Sequence, residues 1–212
     1  MKTILNEIRT PNNDINMKSK IINTTLIFLS GIILGIFSKW LDNLSINNAI
    51  WWQNIIDILD LRNVFSLFGV WIFIAVSISI FSKTPLRASL NVFLFFVGMT
   101  VSYHLYTIYF SGFNPQKYMM IWYNITLISP ILAYICWYAK GKGKISLLIS
   151  TMIILVMLFS SFSIGIWYFD INGVIDLLFF IGTLLVLYNN PKKTIYSLII
   201  ALILAFIIRS IV

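Results

Sequence analysis

Residues 146–168 read SLLISTMIILVMLFSSFSIGIWY, a run of 23 residues without a charged side chain. A helix of roughly 18 or more apolar residues is long enough to cross the hydrocarbon core of a bilayer. Comparable apolar runs recur at 21–40, 64–81, 86–110, 117–138, 172–188 and 194–212. The sequence therefore predicts an all-α fold, a polytopic transmembrane helix bundle with about seven spans.

The composition places nearly the whole chain in this class. Of the 212 residues, 59% are hydrophobic and 10% are charged, and the mean hydropathy is +0.92. Soluble domains carry about 25% charged residues, so water is not the expected solvent. We predict a polar cytoplasmic leader over 1–20 and a single transmembrane domain over 21–212.

The distribution of charge predicts the orientation, because cytoplasmic loops of membrane proteins retain Lys and Arg. With the N-terminus in the cytoplasm, most of the fifteen basic residues fall inside: Lys2, Arg9, Lys18, Lys20, Lys83, Arg87, Lys140, Lys142, Lys144, Lys192 and Lys193. The four that fall outside are Lys39, Arg62, Lys117 and Arg209. We therefore expect the N-terminus inside and the C-terminus outside.

The distribution of charged residues also indicates which partners and which cellular location to expect. The basic residues, which give a net charge of +8, lie in short gaps between apolar runs rather than in one patch. No nucleic-acid partner is expected, and membrane lipids are the expected surroundings. The richness in Ile, Asn, Lys and Phe is typical of AT-rich bacterial genomes, which favours a multi-pass protein of a bacterial plasma membrane.

Between the first two spans, residues 43–61 show a two-sided pattern. One helical face carries Trp51, Trp52, Ile55, Ile56 and Leu59, and another carries Gln53, Asp57 and Asp60. This pattern predicts an amphipathic helix lying flat on the outer interface. A lid over an outward-facing cavity is the alternative.

Several helix starts carry a local signal. In Thr84-Pro85, Asn114-Pro115 and Asn190-Pro191, a side-chain oxygen that can cap free N–H groups precedes a proline. Proline is favoured in the first helical turn, where its missing N–H is not needed. We expect helices to begin at these three positions.

Polar side chains inside a span are costly, which makes each a functional candidate. The third span is polar on two nearly opposite stripes, so we place it centrally in the bundle. His104 in that span is either a hydrogen-bonded core histidine or a proton-sensitive, ligand-contacting residue. The candidate outward-facing pocket consists of His104, Asn124, Asp176, Ser102 and Thr100.

Three further patterns concern contacts between helices. Pro130 predicts a kink in the fourth span, which either fits one helix around another or forms a cavity wall. Gly31 and Gly35 form a small-xxx-small pattern for close helix packing, within the chain or in a dimer. Asp176 and Arg209 lie at the same predicted depth, where they either form an ion pair or extend separately to the interface.

The central segment 82–144 carries the motifs Thr84-Pro85-Leu86-Arg87, Asn91, Phe95-Phe96-Val97-Gly98-Met99, Ser102-Tyr103-His104 and Trp137-Tyr138-Ala139-Lys140-Gly141. It resembles an uncharacterised family of small multi-span bacterial integral membrane proteins, a domain of unknown function. The resemblance implies a multi-span fold without an assigned activity. It transfers no functional residue.

The motifs for catalysis that we sought do not occur in this sequence. The spans contain no Gly-x-Ser-x-Gly, no His-Glu-x-x-His and no paired glutamates, and the chain has one histidine and one cysteine, Cys136. We expect a non-enzymatic protein without a metal or cofactor that binds or transports a small solute or amphiphile. The alternative is an accessory, interaction or immunity protein that acts on another membrane complex.

Overall fold

The computed structural model describes residues 2–12, 16–47, 49–165 and 167–211, with side chains from Leu5 onward. Helices make up 82% of the chain. In the described part they are α1 (Lys2–Ile8), α2 (Met17–Asn43), α3 (Trp51–Ile58), α4 (Leu61–Ser66), α5 (Phe68–Phe81), α6 (Pro85–Ser111), α7 (Gln116–Trp137), α8 (Gly143–Ser161), α9 (Val174–Leu187) and α10 (Pro191–Ile211). A 3-10 turn, Tyr138–Lys140, extends α7, and strands β1 (Phe162–Ile164) and β2 (Phe169–Ile171) form a hairpin.

Five of these helices are long and apolar enough to cross a membrane: α2, α6, α7 with its 3-10 turn, α8 and α10. The apolar helices α5 and α9 have 14 residues each. At 1.5 Å per residue, such a helix is about 21 Å long, against about 30 Å for the hydrocarbon core. The predicted class, a largely helical membrane-embedded protein, agrees with this architecture.

The outer surface of the bundle suits lipid. On α10, for example, Ile203 and Phe206 are exposed, whereas Ser197, Ala201 and Ala205 are buried. This distribution of large and small side chains is the reverse of that in a water-soluble helix, where large apolar residues face the core. Helix contacts in membranes favour small residues in this way, because lipid tails solvate the large apolar side chains.

The helices α2 and α6 pack with their backbones in close contact. A Cβ atom added to Gly31 would overlap the carbonyl oxygen of Phe95, and one added to Gly35 would overlap that of Met99. Gly98 of α6 faces α2 at the same crossing. The small-xxx-small pattern of α2 therefore faces α6 of the same chain.

Four segments meet at one end of the bundle, which we call the basic end. The backbone N–H of Asn12 donates to the carbonyl of Lys83 in the α5–α6 loop (3.0 Å), and that of Lys142 donates to the carbonyl of Ile8 (2.7 Å). The side chain of Asn189, between α9 and α10, donates to the carbonyl of Gly141 (3.3 Å). The leader and three basic loops are thus in contact.

The opposite end of the bundle joins the other helix termini. Asn43 donates to the Ser111 hydroxyl (2.8 Å), which ties the end of α2 to that of α6, and Ser66 of α4 donates to Asp42 (3.3 Å). Gly69, at the start of α5, lies against Ser160 near the end of α8. Both α5 and α9 therefore run from one end of the bundle to the other.

The leader is more ordered than its polar sequence predicts. Ile8 is buried, and Arg9 donates to the carbonyls of Trp137 (2.6 Å) and Ile80 (2.9 Å), with its guanidinium 4.1 Å from the centre of a Trp137 ring. Burial lowers the pKa of Arg9, yet an arginine stays charged at any physiological pH. α2 begins at Met17 behind the N-cap Asn16, four residues before the predicted span at residue 21.

The predicted helix over 146–168 ends at Ser161, seven residues early. The chain then forms the antiparallel hairpin, in which Phe162 pairs with Ile171. The side chain of Asn172 accepts from the Ser163 hydroxyl (2.6 Å) and donates to the carbonyl of Ser160 (3.1 Å). These serine and asparagine side chains offer the backbone an alternative to the helix, so a short hairpin interrupts an otherwise helical bundle.

The predicted interfacial helix over 43–61 is also divided. The described residues between α2 and α3 are not helical, and Asp60 adopts a left-handed conformation (φ 49°) that separates α3 from α4. On α3, Trp51 is 75% exposed, while Gln53 is buried and accepts from the backbone N–H of Asn47 (2.6 Å). Ile56 is buried beside Gln53, whereas Asp57 is exposed, so burial on this short helix does not follow the predicted division into an apolar and a polar face.

Candidate functional site

His104 bridges α6 and α7 near the end opposite the basic end. Its Nδ1 lies 2.7 Å from the hydroxyl oxygen of Tyr123, and its Nε2 lies 2.8 Å from Oδ1 of Asn114 in the α6–α7 loop. Both ring nitrogens therefore have partners within the chain. Of the two interpretations that the sequence left open, this geometry favours the hydrogen-bonded histidine.

Two other predicted pocket residues also make contacts between helices. The Thr100 hydroxyl is fully buried, 3.1 Å from the hydroxyl of Thr126 on α7. The Ser102 hydroxyl donates to the carbonyl of Ile32 on α2 (3.1 Å). The two side chains point to different neighbouring helices, so they do not face a common space.

The remaining predicted residues lie elsewhere. Asn124 is exposed on α7, whereas Asp176 is buried in the first turn of α9 next to Gly173. Asp176 does not come within ion-pair distance of Arg209, whose guanidinium lies 5.6 Å from the centre of the Phe159 ring. The five residues are thus distributed over several helix contacts, and an outward-facing pocket formed by them stays a prediction.

Pro130 lies within α7, which continues through it. The carbonyl of Thr126, which loses its helical partner to the proline, accepts a hydrogen bond from the Ser129 hydroxyl (2.8 Å). The carbonyl of Pro130 accepts from Ser89 of α6 (2.8 Å). A cavity of about 140 Å³ with mainly apolar walls lies beside this region, between α5, α6 and α7.

A cluster at the end opposite the basic end holds charges that satisfy each other. Lys39 Nζ lies 3.8 Å from an Asp42 carboxylate oxygen, and the Tyr103 hydroxyl donates to that oxygen at 2.7 Å. The lysine also lies 5.5 Å from the ring centres of Tyr103 and Phe113. Because each charge has a partner within the cluster, we interpret these contacts as stabilising the packing of α2 against α6.

At the basic end, a groove of about 480 Å³ opens between α2, α5 and α6. Its residues fall into three basic side chains, four further polar ones and four apolar ones. They are Lys20, Lys83 and Arg87; Asn23, Ser77, Ser82 and Asn91; and Leu26, Ile27, Ile78 and Phe81. Sequence reasoning did not find this groove, because its basic residues were already explained by the orientation of the chain.

The helix termini place the three cations at the mouth of the groove. Lys20 belongs to the first turn of α2, Lys83 to the α5–α6 loop, and Arg87 to the first turn of α6. That turn forms because Thr84 accepts a hydrogen bond from the Arg87 N–H (3.2 Å) and Pro85 fills the first helical position. The apolar residues of α2 lie one to two turns further from the basic end.

A chain of hydrogen bonds orients Arg87. Its Nη2 donates to the carbonyl of Lys20 (2.6 Å) and to the hydroxyl of Thr24 (2.8 Å). Thr24 in turn donates to Asn91 (2.8 Å), whose amide nitrogen donates to the Ser82 hydroxyl (3.3 Å). The guanidinium is thereby held at the α2–α6 contact beside the groove.

Comparison with known proteins adds no identification: no family model, no curated protein and no solved structure matches this chain. The resemblance of the segment 82–144 to a bacterial membrane protein family remains a prediction.

Proposed function

We propose that this chain is a non-enzymatic integral membrane protein that binds an amphiphile in the groove between α2, α5 and α6. The observation that carries the proposal is the two-part chemistry of that groove. Its mouth is basic and polar, whereas Leu26, Ile27 and Ile78 supply an apolar wall further from the basic end. An amphiphile matches both parts, because its polar group can stay near water while its tail lies against hydrocarbon.

We further propose that the chain crosses the membrane seven times, with the basic end in the cytoplasm. The contacts among the leader, Lys83, Gly141 and Asn189 support this topology, because seven alternating crossings bring those segments to one side. The 14-residue helices α5 and α9 are short for a bilayer, but α4 precedes α5 and the β1–β2 hairpin precedes α9. The groove then opens toward the inner leaflet of a bacterial plasma membrane, whereas the pocket predicted from the sequence opens outward.

Blocking the groove tests the binding proposal. Leu26→Trp places a larger ring at the groove, and this position is exposed enough to accept it. A ligand at a hundred times its dissociation constant stabilises a protein by about 2.7 kcal/mol, which corresponds to roughly 5–10 °C in thermal midpoint. We expect at least one amphiphile of a chain-length and headgroup panel to raise the midpoint of the wild type by this amount, and Leu26→Trp to lose the effect.

Leu29→Trp is the matched control, since Leu29 is exposed on the same helix but does not line the groove. It should respond to the same amphiphile as the wild type does. The proposal fails if no member of the panel stabilises the wild type, or if Leu26→Trp responds as strongly as Leu29→Trp.

A further inference from the structure

We propose that the occupant of this groove is an anionic phospholipid, with its phosphate bound at the mouth by Arg87, Lys83 and Lys20. The inference rests on the proposed function and specifies the ligand for the same groove. It follows from the charge balance at the mouth, the orientation of Arg87 and the position of the apolar wall.

Among the described residues, the mouth of the groove carries positive charge without a counter-charge. No carboxylate lines it, and none of its three cations lies within 4.0 Å of an acidic side chain in the part of the chain that the structure describes. The first turn of α6 adds the positive end of a helix dipole at the same place. Lys39 at the opposite end shows the contrast, because its partner Asp42 is supplied by the chain itself.

Arg87 is held in place at the groove and keeps free hydrogen-bond donors. Only Nη2 is engaged, by the Lys20 carbonyl and the Thr24 hydroxyl. Its Nη1 and Nε make no hydrogen bond with the described residues, so three of the five N–H donors of the guanidinium are free. Each free N–H can donate a charge-assisted hydrogen bond to a phosphate oxygen, and prior fixation of the side chain by Thr24 reduces the entropy lost on binding.

The apolar wall selects a lipid over free phosphate. Leu26 and Phe81 are exposed at the edge of the groove, where they contact the surrounding bilayer in the proposed topology. A free phosphate would use the cations and leave this wall empty. An acyl chain linked to the phosphate would cover the wall while the headgroup stays at the mouth.

The three cations also select among lipids. A zwitterionic headgroup brings its own ammonium group close to Lys20, Lys83 and Arg87, where like charges repel. A phosphate with an uncharged substituent, as in phosphatidylglycerol, avoids this repulsion. Anionic lipids attract basic residues at the cytoplasmic surface of membranes, which agrees with the proposed position of the groove.

Lipid binding to the purified full-length chain, measured by native mass spectrometry, tests the inference. The probes are phosphatidylglycerol and phosphatidylcholine with the same acyl chains, in competition with inorganic phosphate. We expect phosphatidylglycerol to bind roughly thirtyfold more tightly than phosphatidylcholine, as two charge contacts of about fivefold each would give. Millimolar inorganic phosphate should not displace it.

Two variants locate the headgroup. Lys83→Gln should weaken phosphatidylglycerol binding roughly fivefold, the effect of one surface charge, and Arg87→Gln should weaken it roughly tenfold or more, because charged hydrogen bonds are lost. Neither variant should change phosphatidylcholine binding. Because Arg87 also joins α2 to α6, Lys83→Gln is the decisive variant: the Lys83 side chain is exposed and only its backbone carbonyl is engaged.

Lys117→Gln is the control, since it removes a basic residue at the other end of the bundle and should leave both affinities unchanged. Equal affinity for the two lipids, or no effect of Lys83→Gln, would overturn the phosphate assignment, while a loss of binding in Leu26→Trp would still support amphiphile binding. Displacement by inorganic phosphate would assign the mouth to a free anion instead. If neither lipid binds and Leu26→Trp behaves as the wild type does, the proposed function fails as well.

Discussion

Gly35→Leu is expected to prevent stable folding of the bundle. The added side chain would overlap the carbonyl oxygen of Met99 on α6, and a backbone atom cannot move aside as a flexible side chain can. Overpacking a core typically costs about 1–3 kcal/mol and occasionally more, and we expect the upper end or beyond at this backbone contact. Thermal unfolding in detergent, with the yield of monodisperse protein, measures the effect.

Ile33→Ala is the control for this substitution. Ile33 lies two residues away on the same helix and is 65% exposed toward the lipid. Its truncation should change the thermal midpoint little, because surface substitutions usually stay within about 0.5 kcal/mol. A Gly35→Leu protein that is as stable as Ile33→Ala would show that α2 and α6 do not pack at these glycines.

Trp137→Ala is expected to detach the leader and destabilise the basic end. Trp137 is 1% exposed, its indole N–H donates to the Ser82 carbonyl (2.7 Å), and its ring lies against the guanidinium of Arg9. Removing a buried tryptophan costs about 3–5 kcal/mol. We expect a lower thermal midpoint and faster trypsin cleavage after Arg9.

Trp137→Phe separates the contribution of the aromatic ring from that of the indole N–H, since phenylalanine keeps a ring but has no N–H donor. It should lose about 1–3 kcal/mol, the cost of an unsatisfied buried carbonyl, and should retain most of the protection of Arg9 from trypsin. Trp51→Ala serves as the control for an exposed tryptophan. If cleavage after Arg9 is equally fast in the wild type and in Trp137→Ala, the leader does not dock on Trp137.

The apolar segments could be located from the sequence because hydropathy and helix capping are local properties. α6 and α10 begin at Pro85 and Pro191, as their Thr-Pro and Asn-Pro signals predicted, while α7 begins one residue after Pro115. The end of α8 was missed because serine side chains near Ser161 are compatible with both a helix and the hairpin that forms. Apolar content alone does not separate the two outcomes.

The candidate site was harder to predict, because depth in the membrane does not determine which way a side chain faces. Thr100 and Ser102 lie two residues apart on α6, yet they contact Thr126 on α7 and the Ile32 carbonyl on α2, respectively. The groove was missed for a different reason. Lys83 and Arg87 have a sufficient explanation in membrane orientation, and only the packing of α2, α5 and α6 shows that they surround one space.

The central claim is that this groove opens at the cytoplasmic face of a seven-crossing bundle. Cysteine labelling in intact cells tests it directly, since Cys136 is the single native cysteine and Cys136→Ser provides the background. With a membrane-impermeant maleimide added outside, Asp57→Cys and Ser163→Cys should be labelled, whereas Lys83→Cys and Lys142→Cys should be labelled only after the cells are opened. Labelling of Lys83→Cys in intact cells would contradict the account.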